Sequence, residues 1–473
     1  MILKQFYLAC LAHASYIIID ERTKKAAVID PQRDIDQYLV EAAKYDASID
    51  YVFLTHFHAD FVAGHVELRQ RAGSRIYLGA AASAEYEFAP VADGDVIEFG
   101  DVRLKILATP GHTPEGISIL AFDLSDDDRK PHAVFTGDTL FVGDVGRPDL
   151  MASVGVSAQE LAGMLYDSLH EKILTLPDET IVYPAHGAGS MCGKSLGKET
   201  FTTIGAQRQL NYALQPMSKS EFIEIVTKDQ QEAPAYFSYD AQMNRMERET
   251  LDATLRQSFR PLSLDKVRNL RDDGAQIVDV REPADFAGAH FEGSINLPLD
   301  GRFATWAGSL LNPERSIIIV AEPRTEHEAS MRLGRIGFDR VVGYLDGGMG
   351  TLQGRNDLIE SNRRTTVNAL WRTFDGKEPL CVIDVRSTKE WEAGHIAESH
   401  NIALGHLTDR LDELPREHEF ALICRTGYRS SVASSLLLRR GIMNFRDVIG
   451  GMEAWSSSEL PVVEPTENSP VQG

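Results

Sequence analysis

The chain is poor in cysteine and in positive charge. Its 473 residues include four cysteines, and no two of them form a Cys-x-x-Cys pair. A disulfide framework and a thiolate zinc site are therefore not indicated, while scattered single thiols are typical of a reducing compartment. Lysine and arginine number 48 against 70 acidic residues, which gives a formal charge of −22. So acidic a chain is a poor partner for nucleic acid or for an anionic membrane.

Long apolar runs are also missing. Residues 1–8 have the pattern of a strand, without the basic region and apolar core of a signal peptide. A helix that crosses a bilayer needs about 18 or more consecutive apolar residues, and no later stretch of the sequence has them. These features predict a soluble, cytoplasmic protein with no nucleic-acid or membrane partner. We also expect a homo-oligomer.

The C-terminal half contains a repeat. The run Ile277-Val-Asp279-Val-Arg281 recurs 105 positions later, where it ends in Asp384-Val-Arg386. Both copies alternate β-branched runs with helical segments, which predicts α/β domains with parallel sheets. A chain of this length is expected to form about two to four domains. We predict four segments: residues 1–255, 256–360, 361–463 and a disordered tail at 464–473.

Four apolar runs in the N-terminal block end in side chains that can bind a metal. These side chains are His56, His58, Asp60, His112, Asp138 and His186. Strands that end at one edge of a sheet bring their loops into one cleft, so imidazoles and carboxylates that converge there predict a metal site. Phe61, which directly follows Asp60, cannot bind a metal.

These motifs resemble those of the metallo-β-lactamase fold, over roughly residues 1–248. The resemblance implies an αββα sandwich with its metals at one edge, between the two sheets. In thioester hydrolases of the glyoxalase II type, a histidine after the aspartate supplies a second metal site. Phe61 stands in place of that histidine, so we expect the second metal to be lost or weakly bound.

The persulfide dioxygenases of this superfamily bind one ferrous iron through two histidines and one carboxylate. The resemblance assigns these roles to His56, His112 and Asp138, with mononuclear non-haem Fe(II) as the cofactor and O₂ as co-substrate. Such a triad leaves positions open for O₂ and for a substrate sulfur, whereas zinc has no redox chemistry.

The other three motif residues, His58, Asp60 and His186, are expected to orient water and the metal ligands by hydrogen bonds. Coordination of the iron by His58 stays open as an alternative. So does a turn-capping role for Asp60. Chance histidines in turns are the remaining alternative, and four motifs in the family's order argue against it.

A Gly-Arg-x-Asp run at residues 146–149 resembles the run that lines the thiol-substrate pocket of the dioxygenases. Arg147 is expected to clamp a substrate carboxylate beside Asp149, and an ion pair between these two residues is the alternative. The run after His186 lacks the tyrosine typical of glutathione-handling members, so the carrier thiol stays open between glutathione, coenzyme A and similar thiols. Cys192 in that run is a candidate persulfide carrier, or else a small buried side chain.

In the last repeat, Cys424 ends an apolar strand and precedes a short loop and a helical run. Loop amides, the helix N-terminus, Arg425 and Arg429 all favour a thiolate there. The repeat resembles the rhodanese sulfurtransferases, and the Cys-x4-Arg spacing favours sulfur transfer over the phosphatases that share this fold. The first repeat has Ala321 at the matching position, so we expect that domain to be inactive.

Together these features predict a bifunctional enzyme of sulfide or persulfide detoxification. The iron domain would oxidise a low-molecular-weight persulfide with O₂ to sulfite and a thiol, and Cys424 would exchange a sulfane sulfur with sulfite or thiosulfate. The first alternative is a zinc-dependent thioester hydrolase with an attached rhodanese domain. A second alternative makes the rhodanese pair a binding or persulfide-sensing module without turnover.

Overall fold

The computed structural model describes residues 1–127, 129–150, 155–228, 230, 232–374 and 380–464. The chain divides into two compact units. The first comprises Met1–Thr254 together with Met331–Asp339, which we call the late segment, and the second comprises Leu255–Ser330 and Arg340–Gly473. The division into four segments stays a prediction, and it did not include the grouping of the late segment with the first unit. The tail predicted to be disordered lies, beyond its first residue, outside the described residues.

The first unit contains two sheets. Strands β1 to β12 are Ile2–Leu8, His13–Asp20, Lys25–Ile29, Ser48–Phe53, Arg75–Gly79, Ala89–Val91, Val96–Phe99, Val102–Ala108, Ile117–Asp123, Ala133–Gly137, Ile181–Pro184 and Thr202–Thr203. Helices α1 to α7 are Asp36–Ala43, His65–Ala72, Ala158–Glu171, Ile204–Leu210, Lys219–Thr227, Phe237–Met243 and Leu251–Ser258. One sheet has the order β1-β2-β3-β4-β5-β6, and the other has the order β12-β11-β10-β9-β8-β7.

Alternating side chains place the two sheets face to face. On β2, Tyr16 and Ile18 point into a core shared with Leu104 of β8, while Ile17 and Ile19 point into a core under the helices α1 and α2. The outer face of the second sheet packs in the same way on α3 to α5. A strand buried on both faces reads as a continuous apolar run, and its successive side chains alternate between the two cores. The resulting helix–sheet–sheet–helix order confirms the predicted αββα sandwich.

The second unit contains two copies of one parallel sheet. Strands β13 to β24 are Pro261–Leu262, Gln276–Asp279, His290–Phe291, Ile295–Asn296, Ile317–Val320, Val341–Leu345, Ile359–Glu360, Arg364–Thr366, Cys381–Asp384, His400–Asn401, Phe420–Ile423 and Phe445–Ile449. Helices α8 to α15 are Leu264–Asp272, Pro283–Gly288, Phe303–Leu310, Glu326–Arg335, Val367–Phe374, Thr388–Glu392, Tyr428–Leu438 and Gly451–Ser457, and α11 ends within the late segment.

The two five-stranded sheets of the second unit share order and register, while β15 and β19 form a separate antiparallel pair. The five-stranded sheets run β13-β18-β17-β14-β16 and β20-β24-β23-β21-β22, with every neighbouring pair parallel. Ile319 lies opposite Tyr344 in the first repeat, as Leu422 lies opposite Asp447 in the second. The prediction of two α/β domains with parallel sheets is confirmed. Within the described ranges, no helix has both the length and the apolar character needed to span a bilayer. Cytoplasmic location and a homo-oligomer stay predictions.

A buried ion network joins the late segment to the rest of the first unit. The Arg33 side chain is fully buried, and it donates to both carboxylate oxygens of Asp339 at 2.6 and 2.9 Å and to the Gly334 carbonyl at 2.6 Å. Its Nε lies 3.2 Å from Glu67, which Arg248 also contacts. Burial opposes ionisation of Glu67, but Arg248 and Arg33 more than offset it and lower the pKa of Glu67 to about 2.

This network predicts that substitution of the buried Arg33 lowers stability more than substitution of an arginine at the surface. Arg33→Met removes the partner of Asp339 and leaves Glu67 with Arg248 alone, so we expect the first unit to lose roughly 3–5 kcal/mol of unfolding free energy. Urea unfolding followed by near-UV circular dichroism measures it. Arg71→Met is the control, because Arg71 pairs with Asp36 and Asp252 at the surface and such pairs contribute little. Equal losses in the two variants would contradict the role of burial.

Candidate functional site

Three predicted metal ligands meet at the edge of the sandwich. His56 follows β4, His112 lies between β8 and β9, and Asp138 directly follows β10. The Oδ2 atom of Asp138 lies 3.4 Å from Nε2 of His112 and 3.7 Å from Nε2 of His56. All three side chains are buried, and their ligand atoms lie within 4.8 Å of one another. This spacing fits a single transition-metal ion held by two imidazoles and one carboxylate.

Hydrogen bonds to neighbouring groups orient the imidazoles of His56 and His112 toward the place that a metal ion would occupy. Nδ1 of His112 lies 2.8 Å from the Arg147 carbonyl oxygen, so Nδ1 carries the proton and Nε2 is left for a metal. Nδ1 of His56 lies 3.0 Å from Oγ1 of Thr55, whose hydroxyl donates to Asp30. Burial, and after it the nearby imidazoles, hold the pKa of His56 well below its usual value. The ring is therefore neutral, as a metal ligand must be.

A second group of ligands lies against the first. His58, Asp60 and His186 also present ligand atoms within 4.8 Å of one another. Nε2 of His186 lies 3.6 Å from Asp60 and 3.7 Å from Oδ1 of Asp138. Among the described residues, both nitrogens of His186 and both oxygens of Asp138 are buried without a hydrogen-bond partner. Such orphaned atoms fit a site built around a bound ion.

Phe61 forms an apolar wall beside the second group. Its ring is buried, and its centroid lies 4.5 Å from that of His58 and 3.9 Å from that of His13. Nε2 of His58 lies 3.1 Å from Oδ1 of Asp30. Burial lowers the pKa of His58, but Asp30 outweighs it, and the net shift is upward. His58 therefore lies between the Asp30 carboxylate and the apolar ring of Phe61.

Asp30 and His13 also lie at this site, and neither was predicted from the sequence. Asp30 ends the apolar strand β3 and precedes Pro31, which is the pattern that identified the other site residues, so that signal was available. His13 begins β2 and forms a backbone bridge with His186. No local pattern distinguishes His13 from a histidine of the core.

Asn244 holds the loop that carries the second group. Its amide nitrogen donates to the carbonyls of His58 and Phe61, both at 2.8 Å, and its oxygen accepts from the Ala63 amide at 2.8 Å. The side chain is fully buried. Asn244 therefore fixes the loop backbone on both sides of Asp60.

Arg147 and Asp149 form the ion pair that the sequence left as an alternative. The guanidinium is buried and donates to both oxygens of Asp149, at 2.8 and 2.7 Å. It also donates to the Met191 carbonyl at 3.2 Å. Burial opposes ionisation of Asp149, but Arg147 lowers its pKa. The backbone carbonyl of Arg147 contacts His112, a predicted metal ligand.

Cys192 lies beside the candidate metal ligands. Its side chain is buried, and its sulfur lies within 4.8 Å of ligand atoms of Asp138 and His186. Burial, followed by the charges of Asp60 and Asp138, raises the pKa of the thiol well above its usual value. The environment of Cys192 therefore favours the protonated thiol.

In the last repeat, Cys424 lies at the carboxyl end of β23. Its sulfur is buried and accepts the Gly427 amide hydrogen, with the two heavy atoms 3.1 Å apart. Gly427 has φ of +110°, in the left-handed region, and directly precedes α14. The thiol also lies 3.6 Å from the Ser430 hydroxyl. The helix N-terminus is thus turned toward the sulfur, where it favours negative charge.

The two arginines of this loop are already paired. Arg429 donates to both oxygens of Glu390 at 2.6 and 2.7 Å, and this contact lowers the pKa of Glu390 to about 2. Arg425 lies 2.8 Å from Glu453 at the surface. A cleft of about 580 Å³ beside the loop is lined in part by Arg425 and Met452. Both guanidinium groups are thus paired with carboxylates, while the Gly427 amide donates to the sulfur.

The first repeat keeps the shape of this loop without its sulfur. Ala321 follows β17 as Cys424 follows β23, and Arg324 adopts φ of +81° at the position of Gly427. A Cβ atom on Gly348 would lie 3.0 Å from the Ala321 carbonyl oxygen, and one on Gly451 would lie 2.4 Å from that of Cys424. A glycine thus packs beneath each loop.

Comparisons with known proteins agree with these two architectures. The model of the metallo-beta-lactamase superfamily matches residues 9–186, and that of the rhodanese-like domain matches residues 263–353 and 366–458. The curated protein "Persulfide dioxygenase ETHE1, mitochondrial" of Homo sapiens is 31% identical over 48% of this chain and 80% of its own length. "Hydroxyacylglutathione hydrolase cytoplasmic" of Arabidopsis thaliana is 34% identical over 39% of this chain and 67% of its own length.

Similarity to a solved structure extends over more of the chain. The crystal structure of a "Metallo-beta-lactamase" from Staphylococcus aureus subsp. aureus COL is 32% identical, with a TM-score of 0.64, over 72% of this chain and 98% of that one. The persulfide dioxygenase ETHE1 of Bos taurus is 30% identical over 81% of its length. The chain therefore belongs to the persulfide dioxygenase family of the metallo-β-lactamase superfamily, and two rhodanese-like domains follow in the same polypeptide.

Proposed function

We propose that the protein is a bifunctional enzyme that oxidises a low-molecular-weight persulfide with O₂ and transfers sulfane sulfur through Cys424. The observation that carries the proposal is the buried triad of His56, His112 and Asp138, in a chain that also presents a thiol at a helix N-terminus. Persulfide, sulfite and thiosulfate are the small-molecule partners that this chemistry requires.

Each group near the triad has a role in this proposal. The triad would hold Fe(II), which when bound supplies the activation of O₂ that zinc cannot supply. The Arg147 carbonyl fixes the tautomer of His112, and Thr55 does so for His56. His186, which lies 3.7 Å from Asp138 and 3.6 Å from Asp60, would with Asp60 orient Asp138 and a bound water. Phe61 keeps water from one side of the cluster.

The two reactions balance and share an intermediate product. One persulfide, one O₂ and one water give a thiol, sulfite and two protons. At the rhodanese loop, the Cys424 thiolate attacks the outer sulfur of thiosulfate, the S–S bond of thiosulfate breaks, and sulfite leaves with the electron pair. The reverse reaction consumes sulfite. A product of the first site is therefore a substrate of the second.

Metal content and oxygen consumption test the dioxygenase. After anaerobic reconstitution with Fe(II), we expect O₂ uptake with the persulfide of glutathione, coenzyme A or cysteine. His112→Ala removes a ligand and should lower iron binding and uptake by more than about 100-fold. His132→Ala, at an exposed position outside the motifs, should behave as wild type. Zinc in the purified protein with no O₂ uptake would favour the thioester hydrolase.

Phe61 tests whether the centre is mononuclear. The second ligand group is the observation that favours the zinc thioester hydrolase, because with Asp138 it offers four protein side chains. We expect wild type and Phe61→Leu to bind one equivalent of metal, and Phe61→His to bind two, since it adds the missing imidazole. Equilibrium dialysis with zinc and thioester hydrolysis are the measurements. Two tightly bound equivalents in wild type would contradict a lone iron centre.

Cys424 tests the sulfur-transfer half. Cys424→Ser should reduce thiosulfate formation from persulfide and sulfite to background, whereas Cys381→Ser, within strand β21, should retain it. Full turnover in Cys424→Ser would support a binding or sensing module. Mass spectrometry after persulfide treatment should show added sulfur on Cys424. Cys192 remains the second candidate carrier, and the same spectra reveal whether it gains sulfur.

A further inference from the structure

Helix α14, which follows the Cys424 loop, is buried around its circumference. Its residues from Ser430 to Leu437 are all buried. A helix packed on one sheet keeps a polar face toward solvent, so a second layer must cover this one. The helix contacts β23 and β24 of its own repeat, and β16 and α9 of the first repeat. The first repeat is therefore the second layer.

A buried hydrogen bond joins the two repeats at this helix. The Ser431 hydroxyl donates to Oδ1 of Asn296 over 2.6 Å, and both side chains are buried. The Asn296 amide nitrogen donates to the carbonyls of Asp279 and Arg281, at 3.1 and 3.0 Å. Because both amide hydrogens are used within the first repeat, the oxygen is held toward Ser431.

A second contact lies one turn closer to the sulfur. The Tyr428 hydroxyl donates to the Pro298 carbonyl over 3.1 Å. Gly301 has φ of +73°, and a Cβ atom there would lie 3.3 Å from the Tyr428 ring. Tyr428 is the first residue of α14 and directly follows Gly427, whose amide contacts the Cys424 sulfur. The first repeat thus contacts the first turn of the helix as well as Ser431.

In the second repeat, Asn401 occupies the position that matches Asn296. Asn401 donates to the carbonyls of Asp384 and Arg386, as Asn296 does in the first repeat. Its oxygen accepts from the Thr388 hydroxyl over 3.1 Å. Bracing of two strand-end carbonyls therefore belongs to the fold, whereas the bond to Ser431 is specific to Asn296.

We infer that the first repeat, which has alanine in place of the nucleophile, positions the sulfur-transfer loop of the second. Asn296 is a positioning residue that acts through Ser431 and α14 on the Gly427 amide beside the Cys424 sulfur. An amide hydrogen bond weakens steeply with misalignment, so a small shift of α14 reduces stabilisation of the thiolate. This inference rests on the proposed role of Cys424 and assigns the inactive repeat a part in it.

Serines of the same helix provide a matched pair of variants. Ser431→Ala removes the bond to Asn296, and Ser435→Ala removes a buried hydroxyl that donates to the Val432 carbonyl of its own helix. We expect Ser431→Ala to lower kcat for thiosulfate about tenfold with little change in KM, since one hydrogen bond contributes about that factor. The pH at which alkylation of Cys424 reaches half its maximal rate should move upward.

Ser435→Ala should match wild type in both measurements, and Ser431→Thr, which keeps the hydroxyl, should restore them. Wild-type kinetics and an unchanged alkylation profile in Ser431→Ala would overturn the inference, as would an equal loss in Ser435→Ala. A wild-type protein without Cys424-dependent sulfur transfer would contradict the proposed function instead. The alkylation profiles would still decide whether Ser431 positions the loop.

Discussion

The site of the first unit depends on one buried carboxylate, Asp138. Its Oδ2 faces His56 and His112, its Oδ1 faces His186, and neither oxygen has a hydrogen-bond partner among the described residues. Buried polar atoms without a partner are unfavourable, and the three imidazoles around Asp138 fit a site built around a bound cation. The ends of β4, β8, β10 and β11 therefore have to meet at one point, which the facing sheets of the sandwich allow.

Much of this site could be predicted because each ligand follows an apolar strand. Asp30 follows the same rule at the end of β3, and it holds Thr55 and His58 from a left-handed backbone conformation, with φ of +49°. Asn244 could not be found in this way. It lies 186 residues from His58, in a polar helical segment, and a contact that spans such a distance leaves no periodicity in the sequence.

In the rhodanese repeats, too, some features could be predicted from the sequence and others could not. Their parallel sheets were predictable, because β-branched runs alternate with helices, and so was the place of Cys424 after a strand. The pairing of Arg429 with Glu390 was not, because it depends on how α13 packs beside the loop. The role of Asn296 was hidden for another reason. Asn401 occupies the matching place and braces equivalent carbonyls, so the repeat pattern alone assigns both residues to the fold.

The late segment contacts the loop that carries Asp60, within the first unit. The Val62 amide donates to the Arg335 carbonyl over 2.7 Å, directly after Phe61, and the Arg335 guanidinium donates to both oxygens of Asp34. The loop that carries Asp60 is thus held by Asn244 on one side and by the end of α11 on the other.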